Sequence, residues 1–164
     1  MKFDKYEWRI MQALQENGRL TNQELSERIG LSSTPCWRRL NDLNQSGVIK
    51  RCVAILDPQL VGIRETAFAH VTIDQRNETR LNEFEAAVKM SPEVLECYAS
   101  MGDADYLLKV AVPDVSSYDR FLKDFVFKLP GVVQVRSNLA LRTIKRETAL
   151  PLEVFNKACP ELHN

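Results

Sequence analysis

The run "SSTPCWRRLNDLNQSG", residues 32–47, concentrates the side chains best suited to reading another molecule. At about 100° per residue in a helix, Cys36, Leu40 and Leu43 share one narrow apolar face. Arg38, Asn41 and Gln45 point the opposite way, with Thr34 near them, while Trp37 and Arg39 lie on the flanks. Guanidinium and amide groups are the donors and acceptors that pair with base edges in a DNA major groove, and arginine also holds phosphate. Only Asp42 opposes them in charge. A solvated polar helix face would carry similar residues, so the neighbouring elements decide what this face is for.

Those neighbours are specific. Ser and Thr open the run as cap candidates, Pro35 falls in the first turn where its missing N–H is harmless, and Ser46-Gly47 closes it. Upstream, "LTNQELSERIG" predicts a helix with Thr21 or Asn22 as cap, Glu24 in its first turn, and Leu25 and Ile29 inward. A still earlier helix runs from Asp4 through Trp8, Ile10, Met11 and Leu14 to the stop at Asn17-Gly18. Two helices joined by a short glycine turn form a helix-turn-helix, whose second helix enters the major groove. Ser33 and Thr34 at the start of that helix, then Arg38, Arg39, Asn41 and Gln45, are the DNA-contacting candidates. The β-rich run "VIKRCVAIL" that follows is expected as a wing strand, with Lys50 and Arg51 on backbone phosphate.

Charge gives only a small hint that any anion-binding surface lies in the first part of the chain. The 164 residues balance 22 Lys and Arg with 22 Asp and Glu, so no whole-chain field advertises a partner. Residues 1–62 nevertheless hold nine basic against seven acidic side chains, and residues 63–164 hold 13 against 15. No apolar stretch is long enough for a membrane span, and "MKFDKYEWRI" is charged and amphipathic, so a cytoplasmic protein without a membrane partner is expected. Cys36, Cys52, Cys97 and Cys159 are irregularly spaced, and only His70 and His163 are available beside them. That pattern suits free thiols rather than a metal site, with a thiol sensor as the alternative. His70 sits mid-strand and His163 in the tail, neither with an evident catalytic partner. Neither an enzyme nor a cofactor is expected.

After "DPQLVGIRE", which reads as a linker, the pattern changes. "TAFAHVTI" alternates as a strand. A helix follows from Asn77 to Met90, then the strand "EVLECYASM", the turn "GDAD" and the strand "YLLKVAV". A second helix spans Ser116 to Leu129 and ends at Pro130-Gly131, before a long last strand "VVQVRSNLALRTI". The order β-α-β-β-α-β is the ferredoxin-like unit, an α+β fold with both helices on one face of the sheet. The other face carries Phe68 and other partly apolar positions, which a partner sheet would cover, so a homodimer is expected. The expected domains are a winged helix-turn-helix with linker (1–62), a regulatory domain (63–150) and a C-terminal tail (151–164). In "GDAD", Gly102 permits close backbone approach and an aspartate can accept from an ammonium group. The same residues also make an ordinary hairpin turn.

With "LTNQELSERIGLSSTPCWRRLNDLNQSGVIKR", "GDADYLLKVAVPDVSSYDRF", "LPGV" and "IKRETALPL" in this order, nearly the whole chain resembles the Lrp/AsnC (leucine-responsive, feast/famine) family of transcription regulators. The resemblance implies a winged helix-turn-helix on double-stranded DNA and a ferredoxin-like domain that dimerises by stacking sheets. It also implies assembly of dimers into octamers and an amino acid effector near the dimer–dimer contacts. Carried over, the effector residues are Gly102, Asp103 and Asp105, flanked by Tyr98 and Ser137. Ser33 stands where many members have proline, and "TPCWRRL" with the closing "LPL" is most similar to members that respond to cysteine. An effector-independent architectural DNA-binding protein is the remaining alternative.

Overall fold

Capping geometry sets the first three helices. Asp4 Oδ1 accepts from the backbone N–H groups of Tyr6 and Glu7 at 2.7 and 2.8 Å, and Glu7 Oε2 accepts from Asp4 N at 2.7 Å. This reciprocal capping box opens α1, Lys5–Glu16. Thr21 and Glu24 form a second box at α2, Asn22–Ile29. Gly30 closes α2 at φ +73°, the left-handed conformation that favours glycine, and turns the chain towards α3, Ser33–Gln45. Pro35 is the third residue of α3, where no intrahelical partner awaits its absent N–H. Ser32 is the N-cap residue but makes no side-chain cap bond. The helix start is held from α2 instead: Asn22 Nδ2 donates to Ser33 O at 3.0 Å, and the Ser26 and Ser33 hydroxyls lie 3.3 Å apart. Ile10, Met11, Ala13, Leu25, Ile29, Cys36 and Leu43 form the shared core.

The computed structural model describes residues 3–74 and 78–152, and the chain divides into two units. One comprises residues 1–55 together with the segment from Lys145, and the other residues 56–144. Residues 145–152 are therefore part of the helical unit. Gln15 clasps this segment at two points: its Nε2 donates to Leu150 O at 3.2 Å, and its Oε1 accepts from Leu150 N at 2.6 Å. Leu152 packs against the helical core. Of the expected tail, only Pro151 and Leu152 fall within the described residues; Cys159 and His163 lie outside them, as does Asn77, the expected helix start.

Four antiparallel strands build the second unit: β1 Glu65–Ile73, β2 Val94–Ala99, β3 Tyr106–Val112 and β4 Val132–Leu139, in the order β2-β3-β1-β4. Helix α4 (Glu78–Met90) precedes β2, and α5 (Val115–Asp124) precedes a 3₁₀ turn, Val126–Lys128. Strict alternation buries Ala67, Ala69, Val71 and Ile73 of β1, and Tyr106, Leu108, Val110 and Val112 of β3, beneath Phe84, Val88, Tyr118 and Phe121. Each fully buried large side chain here contributes about 1.5–3 kcal/mol. The opposite face carries Phe68 and Leu107, but among Thr66, His70, Thr72, Lys109, Arg136 and Asn138 it is more polar than expected.

Two strand expectations fail for one reason. Residues 48–57 form no strand, and Val53, Ile55 and Leu56 stay exposed. Strand residues need a ladder partner for their N–H and C=O groups, and among the described residues none pairs with this run. β4 stops at Leu139 because β1, its only neighbour among the described residues, pairs no further than Ala67, leaving one last bond from Ala140 N to Thr66 O at 2.9 Å. The second helix likewise shortens, turning 3₁₀ after Asp124.

Candidate nucleic-acid interface and effector pocket

α3 presents two faces. Cys36 and Leu43 are fully buried in the helical core, with Leu40 packed beside them. The opposite side leaves Thr34, Arg38 and Gln45 exposed and Asn41 half-buried. Among the described residues Arg38 makes no ion pair, nor do Lys50 and Arg51, which lie exposed on the irregular segment after the helix. These guanidinium and ammonium groups keep their charge available to an anion. Trp37, 58% exposed, stands beside them as a large apolar side chain that the wheel assigned only to a flank.

Arg39 and Ser33 are differently placed from the rest of the candidates for DNA contact. Arg39 Nε and Nη2 donate to Asp4 Oδ2 at 3.0 and 2.9 Å, and its guanidinium lies 5.5 Å from the Tyr6 ring centroid. Its charge is already matched by a carboxylate of α1. Burial works against the Asp4 carboxylate, yet the Glu7 N–H and Arg39 outweigh it and hold the carboxyl below its ordinary range. The Ser33 hydroxyl faces Ser26 of α2.

The 100–105 turn ties β2 to β1 as well as to β3. Ser100 N donates to Asp105 O at 2.8 Å and Ser100 Oγ to Ala104 O at 2.7 Å. Asp105 N donates to Val71 O at 3.0 Å, and Asp105 Oδ2 accepts from Ile73 N at 2.7 Å. The Asp105 carboxylate is thus a brace between the turn and β1. Gly102 takes φ +136°, which side-chain-bearing residues rarely adopt, although no atom would meet a Cβ placed there.

Asp103 is exposed and lines a cavity of about 230 Å³ with His70, Thr72, Ala104, Arg136 and Asn138. His70 pairs with Arg136 across β1 and β4, so the cavity opens on the helix-free face of the sheet. Among the described residues, neither Asp103 nor Arg136 has an ion-pair partner. Arg136 and Asn138 drew no notice in the sequence, because only the β1–β4 register brings them to the turn; their alternation along the last strand was the available signal. Tyr98 lies in the same cross-strand row, two strands from His70 through Leu107, and its hydroxyl donates to Glu96 Oε2 at 2.8 Å. Ser137 is not brought to this cavity. It points to the helix side, where its Oγ accepts from Tyr118 OH at 2.7 Å.

A larger cavity, about 420 Å³, lies between α4 and β2. Its charged groups already have partners: Lys89 pairs with Glu85 at 3.6 Å, Tyr106 OH donates to Glu85 Oε1 at 2.9 Å, and Glu96 pairs at 2.6 Å with Lys109, which lies outside the lining. Burial, then the Glu85 carboxylate, push the Tyr106 hydroxyl up to about 12. Burial also raises the Cys97 thiol, with Glu85 adding to it, and raises Cys36 against the pull of Arg39. Both thiols are held in the protonated form, the opposite of what a reactive cysteine needs. Among the described residues no group of three His, Cys, Asp or Glu could hold a metal ion, and no helix is long and apolar enough to cross a membrane.

A helix-turn-helix with a cationic outer face in one unit, and a ferredoxin-like sheet with a small charged pocket in the other, define a DNA-binding regulator with a ligand-binding domain. Residues 3–50 match the winged helix-turn-helix DNA-binding model, and residues 66–150 match the Lrp/AsnC ligand-binding domain. The chain belongs to the Lrp/AsnC family of transcriptional regulators, which are not enzymes. It is 39% identical to the glutamate uptake regulatory protein of Zymomonas mobilis over 158 residues, covering 96% of each chain. It is 35% identical to the leucine-responsive regulatory protein of Salmonella typhimurium over 150 residues, 92% of each. Among solved structures, a Neisseria meningitidis transcriptional regulator in complex with L-methionine is 40% identical, with a TM-score of 0.88, over 93% of this chain and 99% of that one.

Proposed function

We propose that a homodimer of this chain binds a two-fold operator through α3, and that a small amino acid held at Asp103 and Arg136 changes that binding. The observation carrying the effector half is the cavity itself. It unites one carboxylate and one guanidinium, neither ion-paired among the described residues, beside the glycine turn. An α-amino acid offers the complementary pair: its carboxylate to Arg136, in a charge-assisted and geometrically matched contact, and its ammonium to Asp103. The open φ of Gly102 leaves backbone N–H groups approachable, while Asp105 braces the turn rather than touching the ligand.

Cysteine is the first candidate, from the resemblance of "TPCWRRL" and "LPL"; methionine and leucine follow, methionine supported by the L-methionine complex of the Neisseria regulator. On the DNA side, Arg38 reads a base edge, Thr34, Asn41 and Gln45 assist, and Lys50 and Arg51 hold phosphate. A second copy covers the sheet face bearing Phe68 and Leu107, and such dimers assemble further, to an octamer, in the cytoplasm where DNA and free amino acids meet.

A thermal-shift screen of the proteinogenic amino acids tests the effector half, because a ligand of the native state raises the melting temperature by mass action. One amino acid is expected to raise it by several degrees at about 100 times its Kd, where the stabilisation is about 2.7 kcal/mol. Arg136→Gln is expected to remove the shift. No shift with any amino acid at about 10 mM overturns the proposal.

A further inference from the structure

We infer that Trp37 is a specificity-determining residue of the DNA interface, reading a thymine methyl group in the major groove. Trp37 is the fifth residue of α3, in the half of a recognition helix whose side chains meet base edges. It lies one turn from both Thr34 and Asn41, so the three form one ridge beside Arg38. The indole is 58% exposed although the core of this unit lies directly behind the helix and holds Cys36, the preceding residue, fully buried. Packing within the unit therefore does not account for a side chain of this size, since an aromatic of this class buries about 150–250 Å² when covered.

The groove decides what such a side chain meets. A recognition helix lies in the major groove, whereas apolar wedges that unstack bases act from the minor groove. On the major-groove edges of the four bases, the one methyl group is the C5-methyl of thymine; cytosine offers only a small C–H there, and the distinguishing groups of the other bases are hydrogen-bond donors and acceptors. An indole face next to a polar ridge thus selects thymine by burying its methyl, while Arg38 beside it selects by hydrogen bonds. The pairing gives each half-site one methyl-read and one donor-read position.

Uracil replacement tests this, because it removes the methyl and leaves the base-pairing edge intact. The probe is a duplex selected from random-sequence DNA by the full-length protein, with each thymine replaced by uracil in turn. The unsubstituted protein is expected to lose about tenfold in affinity, or about 1.4 kcal/mol, at one thymine per half-site. Trp37→Ala is expected to bind the thymine and uracil duplexes alike, about tenfold more weakly than the unsubstituted protein binds the thymine duplex, with affinity for random DNA unchanged. Trp37→Phe, which keeps an aromatic face, is expected to retain part of the discrimination and guards against a folding artefact. Equal sensitivity to uracil in Trp37→Ala and the unsubstituted protein overturns the inference. So does a parallel loss on operator and random DNA, or the absence of any uracil-sensitive position.

Discussion

Arg39 of the recognition helix places two nitrogens on a single carboxylate oxygen of Asp4, the residue that caps α1 35 positions earlier. The pair fixes α3 against the start of α1. Its side chains are 22% and 44% exposed, so water and salt screen it. Arg39→Ala is expected to lower stability by about 0.5–1 kcal/mol and leave base specificity unchanged. The Asp4 carboxyl is depressed in the folded chain, so its contribution is complete above the ordinary value of 3.8 and is lost as pH falls through the lower folded value. Acid titration of Arg39→Ala is expected to show a smaller loss of stability in that window. A coupling near zero in the double-mutant cycle with Asp4→Asn would remove the pair from this account.

Arg38 has the opposite prospects, being exposed and without an ion pair among the described residues. Arg38→Ala is expected to cost about 1–3 kcal/mol on operator DNA, to relax specificity at one position per half-site, and to change random-DNA binding little. Lys50→Ala and Arg51→Ala are each expected to weaken all duplexes alike and to lower the salt slope by about one. Competition assays across salt concentration separate the two patterns.

The Gln15 clasp on Leu150 predicts a local effect. Gln15→Ala removes both a donor and an acceptor from the returning segment and is expected to cost about 0.5–1.5 kcal/mol. Amide exchange at Leu150 is expected to accelerate while β1 and β3 keep their protection, as read by site-resolved hydrogen exchange.

Asp105 and Gly102 separate support from binding. Asp105→Asn weakens a brace on the Ile73 N–H and is expected to cost about 1 kcal/mol of stability. A Cβ at Gly102 meets no neighbouring atom, so the cost of Gly102→Ala is backbone strain of about 1–3 kcal/mol. Urea unfolding measures both, and unchanged midpoints would contradict the assigned roles.

Local patterns made much of this legible. The capping boxes at Asp4 and Thr21 announce α1 and α2, and the alternation through Ala67, Ala69, Val71 and Ile73 announces β1. What the pattern could not supply were partners distant in the chain. "VIKRCVAIL" has strand-forming residues without a ladder to join, and β4 ends where β1 does. The candidate site divides the same way. Asp103 was visible in its glycine turn, whereas Arg136 reaches it only through the pairing with His70. Ser137, its neighbour, faces the other side because side chains alternate, and Asp105 is engaged by a backbone 32 residues away.

Operator affinity measured against amino acid concentration tests the central claim most directly. With full-length protein and a selected operator, cysteine, methionine or leucine is expected to shift the apparent Kd by at least about fivefold, the lower end of ordinary allosteric coupling. Arg136→Gln is expected to bind the operator with the unliganded affinity and to show no shift. Isotherms that superimpose for every amino acid up to about 10 mM, or a full shift retained in Arg136→Gln, would contradict the account.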